Sequence, residues 1–108
     1  MTTTEKFESR GLVLGNLFMG GEGAYKAKTL KANTKAELIK QATEMLNDGS
    51  LDGGMGFDGL IGAMLEIKTI ETVEVNGKLF THEEVEDEFI GDLSEAQQDF
   101  LSETGMYI

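Results

Sequence analysis

Cysteine is absent from this 108-residue chain, which removes disulfide stapling, thiolate zinc sites and cysteine nucleophiles together. The core must stabilise the fold unaided. Histidine occurs once, as His82, and no second imidazole completes an HExxH zinc motif around it. Long apolar runs are missing as well. The richest stretch, Gly11 to Gly21, is interrupted by Asn16 and is too short to cross a bilayer. The amino terminus, Met-Thr-Thr-Thr-Glu-Lys, has no basic start followed by an apolar segment, so a secretory signal is not expected. Positive charge is scarce too, with nine Lys and Arg against twenty Asp and Glu. Phosphate binding needs Lys and Arg, so neither nucleic acid nor anionic lipid is expected as a direct ligand. The implied setting is a soluble protein of the cytoplasm, with no membrane contact.

What charge there is lies segregated. From Met1 to Asn47 there are seven basic and five acidic residues, a balance of +2; from Asp48 to Ile108 there are two basic and fifteen acidic residues, a balance of −13. After Lys78 no positive side chain appears, while Glu83, Glu84, Glu86, Asp87, Glu88, Asp92, Glu95, Asp99 and Glu103 follow. A surface of one sign repels itself, yet it captures partners of the opposite sign quickly.

The length suits one domain, residues 1–108, with a real core and no room for a second. An apolar content of 40% argues against disorder despite the charge. No internal repeat, linker or low-complexity tract divides the chain. A strand-like run spans Gly11 to Met19, followed by the glycine turn Gly20 to Gly23 and a second β-like run from Ala24 to Ala32, which together read as a hairpin. Thr34-Lys35-Ala36-Glu37 has the capping-box form. Leu38, Ala42 and Met45 then recur at helical spacing, with Ile39 and Leu46 widening the stripe and Gly49 as the stop. A glycine and aspartate loop, Asp48 to Gly59, leads to a long β-rich stretch from Leu60 to Val75. Asn76-Gly77 is the strongest hairpin signal in the chain, with Lys78 to Thr81 as the return strand. Ile70 is out of phase with Leu65 and Ile67, which predicts a bulge or break near Thr69.

Thr81-His82-Glu83-Glu84 again has capping-box form, with Val85 and Phe89 one turn apart and Gly91 as a stop. This predicts a short acidic helix; an edge strand carrying Val85, Asp87 and Phe89 is the rival. Ser94-Glu95-Ala96-Gln97 opens a last helix whose core face is Phe100 and Leu101. The expected fold is α+β: an antiparallel sheet of about four strands, in two hairpins, packed with two or three helices. Among the methionines, Met45 and Met64 are expected in the core and Met55 exposed in its loop, with the Met106-Tyr107-Ile108 end docked on the sheet or on a second subunit.

Chemical motifs are few. Gly20-Gly21-Glu22-Gly23-Ala24-Tyr25-Lys26 has the outline of a kinase glycine loop, but no catalytic His-Arg-Asp, Asp-Phe-Gly or Walker lysine sequence accompanies it, and a hairpin turn explains the glycines. Asp48-Gly49-Ser50-Leu51-Asp52-Gly53 matches the first half of a calcium loop. The bidentate glutamate of position 12 falls on Gly59, so a helix-terminating loop accounts for it, with at most weak affinity for a hard cation between Asp48 and Asp58. His82 beside Glu83 and Glu84 lacks any indicated nucleophile. No cofactor, metal site or catalytic residue is implied.

The acidic run is the serious candidate. Its bland reading is a solvated face. Nine carboxylates without a base exceed what solubility asks of a domain this size, and like charges at i,i+4 cost a helix a few tenths of a kcal/mol each. Spaced carboxylates can imitate a nucleic-acid backbone, so a basic groove made for phosphates is their natural target.

In size, acidity and layout the chain resembles the counter-defence proteins of phages and conjugative elements of Gram-positive bacteria, among them anti-CRISPR inhibitors of type II effectors and DNA-mimicking antirestriction proteins. Gly20-Gly21-Glu22-Gly23-Ala24-Tyr25-Lys26 and Ser50-Leu51-Asp52-Gly53-Gly54-Met55-Gly56-Phe57 look like segments of such short mobile-element proteins. The resemblance implies an RNA-guided CRISPR nuclease or a restriction enzyme as partner, in the cytoplasm of a bacterial host, with inhibition by blocking guide RNA or target DNA. The expectation is a non-enzymatic inhibitor that binds a basic nucleic-acid-binding surface through Glu83, Glu84, Glu86, Asp87, Glu88 and Asp92, with the Asp48 to Gly59 loop as a second contact. Two rivals stand beside it. One is a structural or regulatory interaction module, homodimeric in one form, whose acid serves solubility; the other is a small hydrolase or metal-dependent enzyme using His82 or the aspartate loop.

Overall fold

The computed structural model describes residues 2–17, 20–54 and 56–105. Five antiparallel strands form one sheet: β1 (Thr2–Leu17), β2 (Glu22–Lys26), β3 (Leu30–Ala32), β4 (Phe57–Val75) and β5 (Lys78–Gly91). Among the described residues two helices, α1 (Lys35–Asp48) and α2 (Glu95–Gly105), accompany the sheet, with a single 3₁₀ turn at Ser50–Asp52. The order across the sheet is β2-β1-β4-β5, and β3 continues the β2 edge by pairing with β1. The α+β class, the antiparallel sheet and the two packed helices agree with expectation. No helix among the described residues is long and apolar enough to span a membrane.

Helix α1 forms where its cap signals lie. The Thr34 hydroxyl accepts the Glu37 N–H at 3.1 Å, and Gly49 closes the helix at φ 81°, a left-handed conformation that glycine adopts without strain. Its buried stripe of Leu38, Ala42 and Leu46 packs on Val13, Ala63, Leu65, Ile67 and Ile90 of the sheet. Full burial of Leu38 alone is worth about 2 kcal/mol. Helix α2 opens with a reciprocal box: Gln97 N–H donates to Ser94 Oγ at 3.2 Å and Ser94 N–H to Gln97 Oε1 at 2.8 Å. Its Leu101 seals a second cluster with Leu12, Leu14 and Met64. Neighbouring residues on a strand point to opposite faces, so α1 and α2 cover opposite sides of β1 and β4.

Several expected boundaries move. β1 reaches back to Thr2, and the second run splits into β2 and β3, with buried Ala27 between them. No bulge occurs near Thr69, where β1 and β4 keep an even register; the shifts lie at Leu14, Gly15 and Asn16 opposite Gly62, Leu60 and Asp58. Ile70 is out of phase because β4 uses both faces, and it sits across from Lys6 and Glu83 on the α2 side. The predicted acidic helix is instead β5, a continuous strand from the Asn76-Gly77 turn. Met45 packs against the α1 core and Met64 is buried. Phe18, Met19, Met55 and the Met106-Tyr107-Ile108 end, with the expectations attached to them, lie outside the described residues.

The molecule is elongated, 58 × 25 × 20 Å. Beyond Ile67 neither β4 nor residues 4–8 of β1 include a buried residue, and the three long strands continue as a ribbon without a helix over it. Gly11 lies in the covered half, where a Cβ would collide with the Met64 carbonyl oxygen, so no larger residue fits.

One polar atom in this core has no partner. Ser9, 1% exposed, sits opposite Ile67 and Leu30, and its hydroxyl makes no hydrogen bond. An unpaired buried hydroxyl is destabilising. Ser9→Ala is therefore expected to raise stability by about 1 kcal/mol, read as a higher urea midpoint at unchanged m-value. A lower midpoint would show that the hydroxyl finds a partner in the folded protein.

Candidate acidic edge-strand surface

β5 is the outer strand of the sheet, and its residues 78–87 are all exposed. It pairs with β4 from Val75↔Lys78 to Gly62↔Gly91 without a register shift. A strand rather than a helix wins here because fourteen residues gain a full ladder with β4, whereas an isolated short helix is marginal in water.

The strand period of two sorts the candidate side chains. Glu84, Glu86 and Glu88 share the α1 face with His82, while Glu83 and Asp87 share the α2 face with Val85 and Phe89. The six candidates therefore do not form one flat patch. Five of them line the rim of the sheet on both sides, and Asp92 stands apart, just past Gly91, its N–H donating to the Ile61 carbonyl at 3.1 Å.

Several of these carboxylates have counterions that the sequence did not reveal. Lys35, the first residue of α1, lies 2.6 Å from Glu86 and 3.2 Å from Glu88. Hydrogen bonds to Glu86 and then Glu88 hold its ammonium above the ordinary lysine range. On the alkaline side the bridge therefore persists until Lys35 itself deprotonates at strongly alkaline pH. Lys68 of β4 reaches Glu83 at 3.2 Å, and His82 Nε2 lies 3.2 Å from Glu84, an ion pair when the imidazole is protonated. Asp87 and Asp92 have no ion pair among the described residues. Asp87 faces Glu66 across the ladder; although the residue is exposed overall, partial desolvation of its carboxyl first, and the Glu66 charge second, push it up from the ordinary range.

On the α2 face a shallow groove of about 420 Å³ runs beside Val85, between Arg10, Glu66, Lys68 and Glu83. Arg10 Nε holds Glu66 at 3.2 Å across it. Val85 is 58% exposed and Leu79, nearer the turn, 70%, so apolar side chains interrupt the acid.

The aspartate loop forms a separate cleft of about 560 Å³, where Asp48, Asp52 and Asp92 surround Leu46, Phe57 and Ile61. Asp48 Oδ1 accepts the Ser50 N–H at 2.8 Å, and hydrogen bonding to Ser50 lowers its pKa. Buried Asp52 accepts from the Gly54 N–H at 2.9 Å. Both aspartates thus brace their own loop. Among the described residues no three His, Cys, Asp or Glu side chains come together as a metal-holding group.

Comparison with family models, characterised proteins and solved structures gives no match. The chain's own geometry must carry the functional reading.

Asp87 provides a check on this electrostatic picture. Its raised pKa means that the ionised carboxylate costs stability at neutral pH, and that this cost fades as acid protonates it. Asp87→Asn is expected to stabilise the protein at pH 7, with the gain shrinking as pH falls through the carboxylate range. Thermal unfolding of both proteins from pH 3 to pH 7 measures it; a constant or inverted difference would contradict the assignment.

Proposed function

We propose that this protein is a non-enzymatic inhibitor that grips a basic, nucleic-acid-binding surface of another protein with the acidic rim formed by β5. The spacing of the carboxylates carries the reading. Residues 83–88 hold five acidic side chains along about 17 Å of strand, three on the α1 face and two on the α2 face, so a groove that clasps the edge from both sides meets roughly one charge per 4 Å, near the one per about 3.4 Å that each strand of duplex DNA presents. A protein groove that neutralises phosphates would meet a similar linear charge here, spaced by the β4 ladder that sets the register of β5.

The partner class favoured is a host defence nuclease, in keeping with the resemblance to anti-CRISPR and antirestriction proteins, acting in a bacterial cytoplasm. Inhibition follows if the rim occupies the channel for guide RNA or target DNA. The internal pairs to Lys35 and Lys68 do not remove the acid from such a partner, because exposed ion pairs are worth about 0–1 kcal/mol and exchange readily.

Those same pairs support a second reading, an interaction module in which the carboxylates brace α1 and β4 against β5. The two readings separate on one variant, Glu83→Gln/Glu84→Gln/Glu86→Gln/Asp87→Asn/Glu88→Gln. Purified protein is titrated into DNA-cleavage reactions of a panel of type II RNA-guided nucleases and restriction enzymes, at low and high salt. Wild type is expected to inhibit at least one, more weakly at high salt, and the variant to lose at least tenfold in potency, about 1.4 kcal/mol. Unchanged inhibition by a folded variant defeats the proposal. A variant that keeps potency but unfolds at lower temperature establishes the bracing role.

A further inference from the structure

The main chain of β5 offers something its carboxylates do not. Asn76 at φ 53° and Gly77 at φ 78° form a two-residue turn with both central residues left-handed, the type I′ geometry. Such a turn closes on a hydrogen-bonded pair, here Val75 and Lys78, and hydrogen-bonded and open pairs then alternate along the ladder. The register is even from there to Gly91. Residues 78, 80, 82, 84, 86 and 88 therefore spend their N–H and C=O groups on β4. Leu79, Thr81, Glu83, Val85, Asp87 and Phe89 point theirs away from the sheet, and among the described residues no strand pairs with that edge.

An open edge of this length is a template for another strand. Its charge decides which one. Two β5 edges laid antiparallel would set carboxylates against carboxylates, and like charges directly opposite are destabilising, so a second copy is refused at this edge. A basic strand meets the opposite situation. Acid lies on both faces of residues 83–87, arranged symmetrically about Val85: Glu83 and Glu84 before it, Glu86 and Asp87 after it. Exposed Val85 supplies an apolar contact at the centre.

We propose that β5 binds its partner by strand addition, taking an extended basic segment with an apolar residue among its lysines or arginines as a sixth strand of the sheet. The proposal rests on the acidic rim being the working surface, and adds that main-chain hydrogen bonds from the odd-numbered residues hold the partner. Affinity then comes from the backbone and selectivity from the flanking charges.

The probe is the capped heptapeptide Thr-Lys-Lys-Val-Lys-Lys-Thr, which matches the acid pattern in either direction, titrated by NMR into the 108-residue protein at low salt. Binding is expected to slow amide exchange at Glu83, Val85 and Asp87 at least tenfold. Val85→Pro removes one outward N–H while keeping every charge and every β4 bond, since proline is tolerated on an edge where the N–H faces solvent; it should weaken binding at least tenfold. The same peptide N-methylated at alternate residues, in each of the two registers, tests wild-type protein directly should the proline variant fold poorly, and one register should abolish binding. If Val85→Pro and both methylated peptides bind unchanged while Glu83→Gln/Glu84→Gln/Glu86→Gln/Asp87→Asn does not, strand addition is overturned and the acidic rim survives. If that charge variant also binds unchanged, both proposals are overturned.

Discussion

Everything in this molecule depends on β4 being paired on both sides. This nineteen-residue strand holds β1 from Phe57 to Glu74 on one flank and β5 from Gly62 to Val75 on the other. The main-chain ladder fixes register, and register fixes which face each side chain takes. Where the helices cover the sheet, the faces are apolar: Val13, Ala63, Leu65 and Ile67 under α1, and Leu12, Leu14 and Met64 under α2. Beyond them the same ladder continues on cross-strand pairs, of which Val73 with Phe80 and Arg10 with Glu66 are examples. Such pairs contribute about 0.2–1 kcal/mol each, enough to extend a sheet already nucleated by a core.

The segregation of charge along the chain becomes segregation across the sheet. β2 and β3, which carry Lys26 and Lys31, occupy one edge, while β5 with its five acids occupies the other. Between them Lys68 and Lys35 reach toward the acidic side and take Glu83, Glu86 and Glu88. The like-charge repulsion that would trouble a helix of this composition is relieved in two ways. The strand divides neighbouring acids between opposite faces, and it brings them within reach of cations from β4 and α1, which a solitary surface helix would not meet.

Much of this architecture is legible from local chemistry. The α1 helix, its Thr34 and Gly49 ends, the Asn76-Gly77 turn and the Ser94 box are all visible because each is decided by a few adjacent residues. The acidic segment is not. Its spacing of Val85 and Phe89 fits one helical turn and also fits alternate positions on a strand, and the deciding term is a ladder with residues as distant as Gly62. The pairing of Lys35 with Glu86 and Glu88 is hidden for the same reason: nothing local to Lys35 signals a partner some fifty residues away. Ile70 illustrates the complementary error. A strand buried on both faces along its middle and half-buried on both beyond Ile67 shows no clean alternation, so phase alone suggests an irregularity that the ladder does not contain.

The bare half of the ribbon ties stability to binding. It lacks helical cover, its backbone is open to water along the β5 edge, and segments of this kind open at lower free energy than the core does. The candidate acids at residues 83–87 straddle the boundary, with Glu86 anchored to α1 through Lys35 and Glu83 paired to the ribbon through Lys68. Any ligand that favours the paired form of this segment over its opened form must, by linkage, hold the ribbon closed by a free energy that grows as the logarithm of its concentration over its dissociation constant. A partner seated on β5 would thus order the part of the molecule that the two helices leave unsupported. The sheet edge would in turn present its charges in two fixed rows, one on each face, since a strand that frays loses both its register and its spacing.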